Sequence, residues 1–245
     1  MFALRRVDLP GAPTQIVQLS TATGLSRRTR LGTGPEKVET AEHLLSALAG
    51  CGVVAALVEL DAPELPALDG SATPWVELIT PHLVSAKDPR APWQVARRFE
   101  YRLGDSVCCL EPSAEGLVDC TIDFPHPLIG KQQRQWAVGD HGSYVTEIAP
   151  ARTFGFLEDA QQLWAAGLAQ GADSTSVVVF DQRGLLSGEL RFSDEPVRHK
   201  LLDVIGDLAL LGAPLMGRVS LERPSHRLVV EALQQACGSG ALVQR

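Results

Sequence analysis

The stretch Arg198-His199-Lys200-Leu201-Leu202-Asp203-Val204-Ile205-Gly206-Asp207 places an imidazole and two carboxylates on an otherwise apolar helical pattern. A helix turns about 100° per residue, so His199 and Asp203 stand one above the other and Asp207 extends the row by a further turn. Leu201, Leu202, Val204, Ile205, Leu208 and Leu211 fill the remaining faces, which predicts burial. Buried charges need partners. A metal ion is one such partner: His at i with Asp at i+4 supplies two of the three protein ligands of a catalytic zinc, whose fourth position stays open for water. The same spacing also suits a helix whose His and Asp face solvent or pair with basic neighbours, so this stretch alone leaves both readings open.

Three further pieces carry chemistry. Glu42-His43 opens a predicted helix from Ala41 to about Ala49, with Thr40 as its N-cap; a helix N-terminus favours a carboxylate and disfavours a protonated imidazole, which keeps His43 free to ligate. Equally, Glu42 could simply complement the helix dipole and His43 be an ordinary half-buried histidine. His226 follows Pro224-Ser225 at the mouth of the last predicted helix, Ser225 to Ala236. The loop Ala151-Arg152-Thr153-Phe154-Gly155-Phe156 offers a hydroxyl and a cation to a polar substrate.

The elements that must position these groups read as strands, helix, strand, helix, twice over. In the first half, Phe2 to Val7, Thr14 to Leu19 and Ser26 to Leu31 are short strands between Pro and Gly turns, Val53 to Leu60 is a buried strand, and Pro74 to Val84 is a helix. Ala86 to Pro92, polar and twice proline-bearing, reads as a linker, dividing the chain into residues 1–91 and 92–245. Beyond it, Trp93 to Leu103, Ser106 to Pro112 and Gly116 to Phe124 alternate like antiparallel strands. Gly142 to Ile148 is a strand or a helix, Leu157 to Ala166 a helix, Ser176 to Phe180 a buried strand, Val197 to Leu211 the His-Asp helix, and Arg218 to Glu222 a strand. This is an α+β pattern.

Composition narrows the function class. A net charge of −7, from 22 basic and 29 acidic residues, disfavours nucleic acid as a partner. No apolar run approaches the roughly 18 residues of a membrane span, and Met1 to Leu9 carries Arg5, Arg6 and Asp8 where a signal peptide would be apolar; the expected location is the cytoplasm. Cysteines 51, 108, 109, 120 and 237 are odd in number and lack C-x2-C spacing, so neither a disulfide framework nor a cysteine zinc site is expected.

Taken together the motifs resemble a known family. Glu42-His43-Leu44 with Ser46-Ala47-Leu48-Ala49-Gly50, Pro63-Glu64-Leu65-Pro66 with Leu68-Asp69-Gly70-Ser71-Ala72, Thr121-Ile122-Asp123-Phe124 with His126-Pro127, Ala151 to Phe156, Arg191-Phe192, Val197 to Lys200 with Asp203 and Ile205-Gly206-Asp207, and Ser225-His226 resemble, in order, the UDP-3-O-acyl-N-acetylglucosamine deacetylases. The resemblance implies two α+β domains, each a small, mostly antiparallel sheet packed on a helix pair, with the active site between the helix layers. It implies zinc-dependent N-deacetylation early in lipid A synthesis. His43, His199 and Asp203 would hold zinc, Glu42 would be the general base, and His226 the cationic acid, oriented by Asp207. Thr153 would bond the developing oxyanion, Lys200 would meet the nucleotide diphosphate, and Phe154 and Arg152 would border the substrate. A monomer or weak dimer is expected.

Two departures stand out. The family's first strand pair, with its Gly-Leu-His-Thr-Gly segment, has no counterpart here, so either the start is misassigned or the first domain lacks those strands. Gly171-Ala172-Asp173-Ser174-Thr175-Ser176-Val177 stands where the family has Gly-Gly-Ser, an acidic residue and Asn-Ala. Two alternatives stay open on this reading: a non-catalytic or regulatory relative, and a zinc deacetylase of another acetylated amino sugar.

Overall fold

Alternation in the first residues sets the first sheet: Phe2, Leu4 and Arg6 are buried while Ala3 and Arg5 are half-exposed, so one face of β1 (Phe2–Arg6) meets the core. The computed structural model describes residues 1–25, 27–86, 90–158, 176–186 and 188–244. Strand β1 is the centre of a three-stranded sheet, antiparallel to β2 (Thr14–Ile16). A hairpin, β3 (Ala22–Gly24) and β4 (Thr29–Leu31), follows. Helix α1 spans Glu42–Gly50. Thr40 is not its cap: it lies at φ 60° and donates its hydroxyl to Glu64 at 2.6 Å, so the helix starts after Ala41 with no side-chain cap. Strand β5 (Ala56–Leu60) pairs parallel with β1 as an edge strand, which is why the expected Val53–Leu60 segment is shorter and only partly covered, with Leu57 51% exposed. Helix α2 ends at Ile79 (Thr73–Ile79) and gives way to a 3-10 turn over Thr80–His82, because Pro81 lacks the N–H that a longer helix needs.

The second half builds a larger mixed sheet. Its strands are β6 (Trp93–Val95), β7 (Phe99–Leu103), β8 (Ser106–Glu111), β9 (Gly116–Phe124) and β10 (Gly130–Ala137). After a helical turn at His141–Ser143 and a wider one over Tyr144–Ile148 come β11 (Phe154–Phe156), β12 (Val178–Asp181) and β13 (Gly184–Leu185), a small sheet of their own. Then follow α3 (Glu195–Leu208) with a 3-10 turn at Ala209–Leu211, β14 (Leu215–Glu222), α4 (His226–Gly238) and β15 (Leu242–Gln244). The large sheet runs β10-β9-β14-β6-β15, with β8 also on β14 and β7 on β8; β14 is parallel to β9 and β6 and antiparallel to β8. The expected strand Trp93–Leu103 is two strands with different neighbours. The expected helix Leu157 to Ala166 falls mostly outside the described residues.

The fold is α+β, with helices α1 and α2 belonging to the first half and α3 and α4 lying on the large sheet. The helices of the two halves meet, and α1 crosses α3 at Gly206, where a Cβ would stand 2.1 Å from the Glu42 carbonyl oxygen. Only a residue without a side chain permits that approach. One hydrophobic core runs from Phe2 to Leu242 across both halves. None of the described helices is long and apolar enough to cross a membrane.

Candidate active site

The α1–α3 crossing brings the first turn of α1 against the polar row of α3. His43 Nε2 lies 3.6 Å from Asp203 Oδ1, and His199 Nε2 lies 3.4 Å from the same oxygen. The ligand atoms of these three residues all fall within 4.8 Å of one another, and all three side chains are buried. The imidazoles stand edge to face, centroids 5.1 Å apart. His199 Nδ1 donates to the Ala151 carbonyl at 3.1 Å, which leaves the lone pair on Nε2, facing the cluster. Burial lowers the His199 pKa to about 4, so the ring is neutral and able to ligate at pH 7. Burial would raise Asp203, but Lys200, with Nζ at 2.9 Å, together with His199 and His226, holds it well below the usual carboxylate range. Two imidazoles and one ionised carboxylate, converging in a buried setting, are a donor set that fits a three-ligand zinc site. His43 Nδ1 is buried without a partner among the described residues.

Beside this triad lies an acid–base pair. His226 is the first residue of α4, whose N-cap Ser225 accepts from Leu228 N–H at 3.2 Å. Its Nδ1 donates to Asp207 Oδ2 at 2.8 Å, and its Nε2 points back at Glu42 Oε1, 4.0 Å away, and at Asp203 Oδ2, 3.8 Å away. Burial works against the imidazolium, yet Asp207, Asp203 and Glu42 outweigh it and raise His226 to about 9. Burial also raises Glu42 above its ordinary value, and His226 and His43 only partly offset this. A carboxylate pushed toward neutrality thus faces a cationic imidazole 4.0 Å away, a pairing whose chemistry suits proton transfer in both directions.

Two contributors were not singled out from the sequence. Thr29 on β4 is fully buried; its N–H donates to Glu42 Oε2 at 3.0 Å and its hydroxyl to Asp207 Oδ1 at 2.6 Å. Gly206 sets the helix separation. Thr29 sits in the polar run Arg27-Arg28-Thr29-Arg30, and only its alternation with Leu31, both buried, hints at an inward face.

The Ala151–Phe156 loop closes the other side. Thr153 N–H donates to the Gly70 carbonyl at 2.7 Å, and Gly70 needs both its φ of 78° and its missing Cβ, which would stand 1.8 Å from the Ser176 carbonyl oxygen. The Arg152 guanidinium turns into a bond with Glu195 at 2.9 Å and another with the Glu189 carbonyl at 2.8 Å. Phe154 lies 6.3 Å from the His199 ring and 5.5 Å from that of Phe124. All ten residues singled out from the sequence thus sit around one centre or on the loop beside it, with Arg152 and Lys200 tied to carboxylates of the protein itself.

Where α1 crosses α3, the His43-His199-Asp203 cluster, able to hold a metal, thus lies beside Glu42 and His226. A family model for UDP-3-O-acyl N-acetylglycosamine deacetylase matches residues 2–237, and the chain belongs to that family, one of hydrolases. It is 42% identical over 226 residues to the UDP-3-O-acyl-N-acetylglucosamine deacetylase of Anaeromyxobacter sp. (strain Fw109-5), covering 91% of this chain and 71% of that protein. It is 39% identical over 226 residues to the one of Myxococcus xanthus (strain DK1622), covering 91% and 70%, and 37% identical over 235 residues to the one of Nostoc sp. (strain PCC 7120), covering 94% and 84%.

Proposed function

We propose that this centre hydrolyses the acetamide of UDP-3-O-acyl-N-acetylglucosamine, releasing acetate and leaving the free amine, the early committed step of lipid A synthesis. The observation that carries the reading is the convergence of His43, His199 and Asp203 beside the opposed pair Glu42 and His226. A zinc ion held by those three residues would polarise the amide carbonyl and acidify water. Glu42 takes a proton from the attacking water as the O–C bond forms, a task suited to a carboxylate raised by burial. His226, cationic at neutral pH, faces the negative charge that develops on the carbonyl oxygen and gives its Nε2 proton to the nitrogen as the C–N bond breaks. Asp207 holds the imidazolium from behind. The Thr153 hydroxyl donates to the same oxyanion. Lys200 and Phe154 border the sugar nucleotide, with Lys200 toward the diphosphate, and Arg152 acts there by pinning the Thr153 loop to Glu195.

The rest of this reading comprises a boundary near residue 91, a monomer or weak dimer, and a cytoplasmic location. Relatives over most of the chain carry the deacetylase name, so a non-catalytic role is not favoured. The test is acetate release from UDP-3-O-acyl-N-acetylglucosamine by purified protein, before and after chelation and with zinc restored. Activity lost on chelation and regained with zinc is expected; folded, zinc-loaded protein that releases no acetate overturns the reading.

A further inference from the structure

The β3–β4 hairpin joins the three helices that build the centre. At Gly24, which pairs with Thr29, the strand lies so close to the start of α4 that a Cβ would stand 2.3 Å from the His226 carbonyl oxygen. Thr29 itself uses all its polar groups. Its carbonyl accepts from Ala41 N–H at 3.3 Å, just before α1; its N–H holds Glu42 Oε2 at 3.0 Å; its hydroxyl holds Asp207 Oδ1 at 2.6 Å. The carboxylate oxygens left over are the ones that face the chemistry: Glu42 Oε1 toward the gap, and Asp207 Oδ2 on His226 Nδ1. A carboxylate held by one oxygen cannot swing about its terminal torsion, which is otherwise broad.

We propose that Thr29 is a positioning residue of the deacetylation, one side chain and its own amide that lock the general base and, through Asp207, the general acid into a single register. The inference rests on the deacetylase reading above. Thr29 contacts none of the three metal ligands in the hydrogen bonds described, so its effect falls on turnover. Catalytic groups displaced by about an ångström cost up to 10²-fold in rate, and losing one of two restraints should cost a part of that, roughly tenfold.

The experiment uses the zinc-loaded full chain, with kcat, KM, zinc content and melting temperature measured for parent, Thr29→Val, Thr29→Ser, His226→Gln and the Thr29→Val/His226→Gln double variant. Thr29→Val removes only the hydroxyl and keeps the N–H on Glu42. It should lower kcat about tenfold with KM and zinc content within twofold of the parent, Thr29→Ser should restore most of the loss, and in the His226→Gln background Thr29→Val should change kcat less than twofold, because Asp207 then orients no acid. Parent-like kcat in Thr29→Val overturns the proposal, and so does a full tenfold loss repeated in the His226→Gln background, which would mark the bond as merely structural. Loss of zinc accounting for the fall overturns it equally. If Thr29→Val does not fold, Thr29→Ala is judged by the same criteria in both backgrounds. An inactive, folded, zinc-loaded parent overturns the deacetylase reading and this inference with it; an active parent with an active Thr29→Val overturns this inference alone.

Discussion

Replacing Gly206 by alanine puts a methyl group 2.1 Å from the Glu42 carbonyl oxygen, against an ordinary contact of 3.4 Å or more, so the α1–α3 separation must grow by about 1.3 Å at the crossing. The obstacle is backbone, which a side-chain rotation cannot relieve. Forcing a methyl into such a contact typically costs about 1–3 kcal/mol. For a chain of this size each kcal/mol lowers Tm by roughly 2–4 °C, so the melting temperature should fall by about 2–12 °C. The functional effect should be larger in proportion. Glu42 and His43 occupy the first turn of α1 at that crossing, while His199, Asp203 and Asp207 are on α3, so separation pulls Glu42 and His43 away from the other three. A displacement of this size predicts a fall in kcat/KM of about 10²-fold and weaker zinc retention against a competing chelator. Gly238→Ala is the control: a Cβ there meets nothing within 4 Å, and alanine in the last turn of α4 should leave stability equal or slightly higher. Thermal melts, chelator competition and steady-state kinetics on both variants decide the matter. A Gly206→Ala protein with parent-like Tm, zinc retention and kcat/KM would refute the close crossing as the device that sets the site.

Other outcomes follow from the same geometry. Glu42→Gln should lower kcat by about 10²-fold or more at unchanged zinc content, read by turnover and metal analysis. His43→Ala or Asp203→Asn should lose stoichiometric zinc on dialysis, measured by elemental analysis; full retention in both would remove the ligand assignment. The parent's pH–rate profile should show an alkaline limb as His226 loses its proton, lying below the value of about 9 that holds without a metal, because a dication on Asp203 cancels part of the charge that raises it; His226→Gln should lack that limb. In metal-free protein the same residue links stability to pH: its folded-state pKa is raised to about 9 from 6.5, so its contribution is complete below pH 6.5 and is lost as pH rises through about 9, and urea titrations of His226→Gln should show a flatter dependence over that window.

The helices were legible because periodicity and chemistry coincide there: the His199-Asp203-Asp207 row and Glu42-His43 are local patterns, and α3 and α4 begin and end within a few residues of expectation. What was hidden is non-local. Strand β10 reads Gly-Lys-Gln-Gln-Arg-Gln-Trp-Ala, with no apolar alternation, and is specified by its register on β9. Trp93 to Leu103 reads as one strand because the break at Ala96 to Arg98 carries no turn residue, although its halves join different partners. Thr40 has the type of an N-cap but spends its hydroxyl on Glu64. Thr29 is the clearest case, since its partners Glu42 and Asp207 come from two different helices and no spacing rule joins them.

The centre draws on distant parts of the sequence: Thr29 and Asp207, joined by one hydrogen bond, are 178 residues apart. Contacts of such separation form late in folding, after the entropy of closing a long loop has been overcome. An ion shared by His43 on α1 and by His199 and Asp203 on α3 would therefore find its full set of three ligands only once α1 has packed on α3. It would then act as a clasp on the finished topology, adding to stability by its affinity for the folded state alone and slowing the separation of α1 from α3. Metal capture would in this way report a completed α1–α3 crossing, and a chelator would loosen that crossing first.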